Sequence, residues 1–227
     1  MAIVETRELT KTYRQGRLEV HALQGVDLEI KPGEFTVLMG PSGSGKTTLL
    51  NLIGTLDAPT SGRLLLEGRD VSALSKTARA KLRLSRLGFV FQAYNLLPVL
   101  SAYENAEFVL LLRGVPAEER KTSVMRILQE VGLQGMEHRR PSELSGGQQQ
   151  RVAVARAIVG EPALVLADEP TANLDSTTAK GLIATMRRLN EEHGLTFLFA
   201  THDPQVMAQA RRIVRLVDGR IAEDTRP

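Results

Sequence analysis

The stretch that most constrains the fold is Phe35–Leu56, FTVLMGPSGSGKTTLLNLIGTL. It reads as an apolar strand, a glycine-rich turn, and a helix whose Leu49, Leu50, Ile53 and Leu56 share one face. Gly40–Thr47 match G-x-x-x-x-G-K-[ST], the P-loop pattern, with strand and helix on the required sides. Such a turn needs glycine, because its backbone takes unusual dihedrals and phosphate oxygens must approach its N–H groups. The N-terminus of the following helix adds partial positive charge at the same place. Lys46 brings a full charge to the β- and γ-phosphates, and the Thr47 hydroxyl is a ligand for Mg²⁺. Gly40, Pro41, Ser42, Gly43, Ser44, Gly45, Lys46, Thr47 and Thr48 are therefore the expected nucleotide-phosphate site.

Two alternating segments, 2–12 and 19–30, precede this unit and predict an antiparallel sheet beside the main parallel one. The segment Arg63–Glu67 returns to that sheet, and Leu87–Phe91 is a short buried strand followed directly by Gln92. From about residue 93 the pattern becomes helical. Ser101-Ala-Tyr-Glu104 is a capping box, helices are expected over roughly 102–113 and 117–131, and another over Arg151–Gly160. Apolar strands then return at Ala163–Ala167 and Thr196–Ala200, with a helix from Ser176 to about His193 capped by Asp175. A last hairpin turns at Asp218-Gly219. The expected class is α/β, a P-loop NTPase core with a mixed, doubly wound sheet. To it are added an antiparallel β subdomain and a helical subdomain. The core is expected over about 1–92 and 161–227, and the helical subdomain over about 93–160.

In a doubly wound sheet, ligands lie beyond the carboxyl ends of the strands. The P-loop, Gln92, Asp168-Glu169 and His202 all fall at such ends. Asp168 fits the acid that holds Mg²⁺ with Thr47, and the neighbouring Glu169 fits the general base on the attacking water. His202 is suited to donate to the γ-phosphate or to orient base and water. Gln92 can ligate Mg²⁺ or water through its amide oxygen. Ser145, Gly146, Gly147 and Gln148 open a helix and make a second anion-binding terminus. Two such termini with one P-loop lysine would serve one triphosphate if two copies faced each other head to tail.

The composition narrows the partners. Tryptophan is absent and aromatics are few, which disfavours a stacking platform for single-stranded nucleic acid. The net charge of +3 is spread without a long basic run, so nucleic acid is not the expected partner. With no cysteine, disulfides and thiolate metal sites are excluded, and a reducing cytoplasm is compatible. Met1–Glu5 has no signal-peptide layout, and runs such as Phe108–Leu112 are far short of a membrane span. No direct membrane insertion is expected; work at a membrane would require docking on another protein.

Taken in order, Gly40–Thr47, Gln92, Leu144–Arg151, Asp168–Thr171, Leu174-Asp175 and Thr201–Asp203 resemble the nucleotide-binding subunit of an ATP-binding cassette (ABC) transporter, over essentially the whole chain. The segments Gly88–Pro98, Pro59–Gly62 and Gln148–Arg151 are similar to the lipoprotein-releasing and macrolide-export branch. Ala172 stands where the family pattern D-E-P-T-G-N-L-D has glycine. The resemblance implies ATP and Mg²⁺ as ligands and Tyr13 stacked on adenine. It implies Ser145 and Gly147 reaching the γ-phosphate of a second protomer in an ATP-bound homodimer, with Asp175 at that interface. It further implies Gln92 coupling the site to an integral membrane permease, on the cytoplasmic face of the membrane. The alternative is a soluble ABC ATPase acting in DNA repair or translation, which commonly carries two cassettes or long insertions; this chain has neither. A kinase or GTPase would leave Ser145–Gln148 unexplained, and no N-K-x-D is present.

Overall fold

Two sheets and the helices between and beside them carry the site, in a computed structural model describing residues 1–16 and 18–226. The four-stranded sheet contains β1 (Val4–Gln15), β2 (Leu18–Ile30), β4 (Ser61–Leu66) and β5 (Arg69–Asp70), in the antiparallel order β2-β1-β4-β5. The six-stranded sheet adds β3 (Phe35–Met39), β6 (Leu87–Phe91), β7 (Leu164–Asp168), β8 (Phe197–Ala200), β9 (Arg212–Val217) and β10 (Arg220–Thr225). Its order is β10-β9-β3-β8-β7-β6, parallel throughout except for the β9–β10 hairpin.

The central strands are apolar nearly end to end because both faces of this sheet are covered. Alternation divides their side chains between two cores. Leu38, Leu166, Leu198, Val214 and Leu216 point to the four-stranded sheet. Helix α1 (Lys46–Ile53) lies between the two sheets and buries Leu49, Leu50, Leu52 and Ile53 there. Phe35, Val37, Val165, Ala167, Phe197 and Phe199 point the other way, where Phe35 packs 4.6 Å from Phe199, centroid to centroid. That second face is covered by α3 (Ala102–Leu112), α4 (Ala117–Glu130), α5 (Gly146–Ile158) and α6 (Ser176–His193).

Local chemistry sets the element ends. Ser101 accepts from the Glu104 amide at 3.2 Å and Glu104 returns the bond at 2.7 Å, completing the expected capping box of α3. Asp175 accepts from the amides of Thr177 and Thr178, both at 3.0 Å, and starts α6. Asp218 and Gly219 both take positive φ, the requirement of the two-residue turn their sequence signals.

The structure also departs from the sequence reading. Helix α5 begins at Gly146 rather than near Arg151, so Gly146–Gln148, expected at a helix start, are its first turn. A basic helix, α2 (Lys76–Arg86), precedes β6 and is not among the expected elements; it buries no residue fully, and only its partly buried Leu82 packs on the core. The sequence also predicts a helix near 204–210, and α7 covers only Pro204–Met207 of it. Among the described residues, no helix is long and apolar enough to cross a membrane.

Candidate nucleotide site

An open pocket of about 790 Å³ lies at the carboxyl ends of β3, β7 and β8, a volume suited to a small-molecule ligand. It is lined by Gly40–Thr48 and by Gln92, Glu169 and His202, with Tyr13, Val20, His21 and Ala22 forming its outer wall. The P-loop glycines are needed for space as well as for dihedral freedom. Gly40 and Gly45 have φ of 153° and 103°, and a Cβ there would collide with the carbonyls of Leu216 and Ala22 respectively. Lys46 donates to the Gly40 and Pro41 carbonyls at 2.8 and 3.0 Å, so the ammonium is held over the turn. The pocket thus pairs backbone amides at a helix N-terminus with one fixed cation.

The hydroxyl of Thr47 donates to Asp168 Oδ1 at 3.3 Å, joining the start of α1 to the end of β7. Burial pushes the Asp168 carboxyl above its usual range; the Thr47 hydrogen bond and the Lys46 charge pull it back, and Glu169 adds to the rise. Among the described residues, no cluster of three or more His, Cys, Asp or Glu side chains forms a metal site. Thr47 and Gln92 line the pocket and Asp168 joins it through its hydrogen bond with Thr47, a sparse oxygen donor set. That set fits Mg²⁺, which keeps several waters and takes its remaining ligands from substrate phosphates.

Glu169 sits at φ 45°, a sparsely populated backbone region for a residue with a Cβ. Its amide is held by the Ala200 carbonyl at 2.8 Å. Its carboxylate is oriented from both sides: Thr201 Oγ1 donates to Oε2 at 2.8 Å, and His202 Nδ1 lies 2.7 Å from Oε1. In the Nδ1–H tautomer His202 donates to the carboxylate and leaves Nε2 as its second polar atom. Each carboxylate oxygen still has a lone pair for a water. The carboxylate is thus held in one orientation at the pocket wall.

Ser145–Gln148 do not line this pocket. In the same chain Ser145 accepts from the Gln148 amide at 3.3 Å and donates its own amide to Gln148 Oε1 at 2.9 Å, capping α5. A Cβ on Gly147 would strike Thr178, next to the Asp175 cap of α6. The segment and Asp175 therefore form a second exposed rim. Within one chain the start of α5 thus lies apart from the P-loop pocket.

Some organising residues escaped the sequence reading. Gln150 is fully buried and donates to the carbonyls of Pro170 and Phe91 at 2.7 and 3.3 Å, tying α5 to the segments around Asp168 and Gln92. Thr201 orients Glu169 and also accepts from the Asp203 amide at 3.1 Å. Its place in Thr201-His202-Asp203 was the available signal; Gln150 offered only an unexpected polar residue on the buried face of a helix.

A family model for the ABC transporter matches residues 23–172. The lipoprotein-releasing system ATP-binding protein LolD of Anaeromyxobacter dehalogenans is 50% identical over 97% of this chain and 93% of its own length. The macrolide export ATP-binding/permease protein MacB of Syntrophobacter fumaroxidans is 48% identical over 99% of this chain. The chain spans only 32% of that relative. Among solved structures, the ATP-binding cassette MJ0796, in a dimeric post-hydrolysis state with ADP and Pi, superposes with a TM-score of 0.90. It is 41% identical, and the match covers 98% of both chains. On these matches, the chain belongs to the ABC transporter family as an ATP-binding cassette.

Proposed function

We propose that this chain is the ATP-hydrolysing subunit of a membrane transporter of the export or lipoprotein-release type. ATP binding, dimer closure and hydrolysis would be coupled to a partner permease. The observation that carries the reading is the convergence of Lys46, the Thr47–Asp168 pair and the oriented Glu169–His202 pair on one pocket rim. The P-loop amides and Lys46 hold the phosphates. Thr47, Asp168 and Gln92 would hold Mg²⁺, which when bound neutralises charge on the β- and γ-phosphates. Glu169 takes a proton from water, the water oxygen attacks the γ-phosphorus, and the bond to ADP breaks, leaving phosphate. Tyr13, on the outer wall, stacks on adenine.

The site is completed by a second copy. Ser145 and Gly147 lie on a separate exposed rim, and two chains facing head to tail would bring each rim to the other's γ-phosphate, with Asp175 at the interface. The dimeric cassette among the structural relatives supports this arrangement. ATP bound only in the closed dimer would favour closure by about 2.7 kcal/mol at a hundredfold excess over Kd, and hydrolysis would remove that bias. Gln92 and the following loop, with Leu97 and Val99 exposed at 42% and 72%, would relay the state of the site to the permease. In this reading the helical segment of about 93–160 is a subdomain beside the core of about 1–92 and 161–227. The protein works on the cytoplasmic face of the membrane. Names of the relatives refer to macrolide export and lipoprotein release, which favours this reading over DNA repair or translation.

The partner reading is tested by cell fractionation. Co-expressed with its permease, the chain is expected in the membrane fraction, and expressed alone in the soluble fraction. Identical distribution in both cases would contradict it.

A further inference from the structure

Tyr13 stands near the end of β1, on the four-stranded sheet, whereas the phosphate cradle belongs to α1 and the six-stranded sheet. A base-stacking residue is useful only if its ring keeps a fixed position relative to that cradle. One small network spans the gap. The Tyr13 hydroxyl donates to Asp57 Oδ2 at 3.1 Å. Lys11 Nζ lies 2.7 Å from the same oxygen, donates to the Ala58 carbonyl at 2.8 Å, and sits 4.8 Å over the Tyr13 ring centroid. Asp57 Oδ1 accepts from the Ala58 amide at 2.7 Å. The Asp57 amide donates to the Asn51 carbonyl of α1 at 3.3 Å, so the carboxylate rides on the helix whose other end forms the phosphate site. Lys11 lies over one face of the ring, and a base would take the other. Its side chain is only 12% exposed, against 37% for Asp57, so the pair is held in place rather than dangling in solvent.

We propose that Lys11 and Asp57 are positioning residues that tie the Tyr13 ring to α1 and thereby set the site's affinity for the base of the nucleotide. The proposal rests on the reading of Tyr13 as the base-stacking residue. Neither side chain lines the pocket, so both act through Tyr13.

Calorimetric titration of the full chain with ATP and with inorganic tripolyphosphate, which lacks a base, tests this. Tripolyphosphate affinity is expected to be the same in wild type, Tyr13→Ala, Tyr13→Phe and Asp57→Ala. For ATP, Tyr13→Ala is expected to raise Kd about 10-fold or more. Tyr13→Phe and Asp57→Ala should each raise it about 3- to 10-fold, since each removes the hydrogen bond between the Tyr13 hydroxyl and the charged Asp57. The Tyr13→Phe/Asp57→Ala double variant should be no weaker than the weaker single, because both changes break the same link. Wild-type ATP affinity in Tyr13→Phe and Asp57→Ala, with Tyr13→Ala weakened, would overturn the proposal and leave the stacking role standing. Wild-type affinity in Tyr13→Ala would remove the stacking role itself. Equal weakening toward both ligands in Asp57→Ala would assign Asp57 to the phosphate cradle, and would also overturn the proposal.

Discussion

Glu169→Gln is expected to slow ATP hydrolysis by about 10²–10⁴-fold, the usual contribution of a positioned base, while ATP binding is retained. Gln has nearly the shape of Glu and can still accept from Thr201, so the strained backbone at φ 45° and its amide bond to Ala200 are undisturbed. It cannot take a proton from water. Nothing that holds the phosphates is altered, because Lys46 and the P-loop amides belong to other elements. The variant should therefore accumulate as an ATP-bound dimer, read by size-exclusion chromatography with light scattering beside a phosphate-release assay. Turnover close to wild type would remove Glu169 from the role of base. His202 would then be the side chain to examine, since its Nδ1 lies 2.7 Å from the same carboxylate.

Ser145→Arg is expected to abolish hydrolysis and leave ATP binding by the monomer intact. The two effects separate because Ser145 lies outside the pocket that holds the P-loop and Tyr13. The variant loses a side-chain cap on α5, at a cost of about 1 kcal/mol, and places a cation against the positive end of that helix. That loss is small beside the stability of a typical domain, so the chain still folds. A bulky cation on the rim offered to a second copy, however, blocks the approach of the γ-phosphate. Simultaneous loss of binding and hydrolysis would mean that the segment acts within its own chain.

The order of apolar runs around Gly40–Thr47 was enough to read the α/β class and the second, antiparallel sheet. Alternation in β2 and continuous burial in β7 and β8 reflect different solvent exposure of the two sheets. The ends marked by strong local chemistry were also legible: the Ser101 and Asp175 caps and the Asp218-Gly219 turn. Helix α2 was not, because it packs without burying a full side chain and five of its eleven residues are basic. The start of α5 was misjudged because two glycines in a first turn argue against helix by propensity, while the reciprocal Ser145–Gln148 cap overrides it. At the site, residues identified by spacing were legible as chemistry. The supports were not: Gln150, Thr201, Lys11 and Asp57 act through contacts between distant segments, which no local pattern encodes.

In the proposed head-to-tail dimer, each working site combines the P-loop and Glu169 of one chain with Ser145–Gln148 of another. Mixing purified Ser145→Arg and Glu169→Gln, each expected to be inactive alone, tests it most directly. In a mixed dimer the intact P-loop and Glu169 of the first chain meet the intact Ser145 of the second, and one complete site is restored. Phosphate release should reappear on mixing and rise with the fraction of mixed dimers. A mixture as inactive as its two components would contradict the shared site.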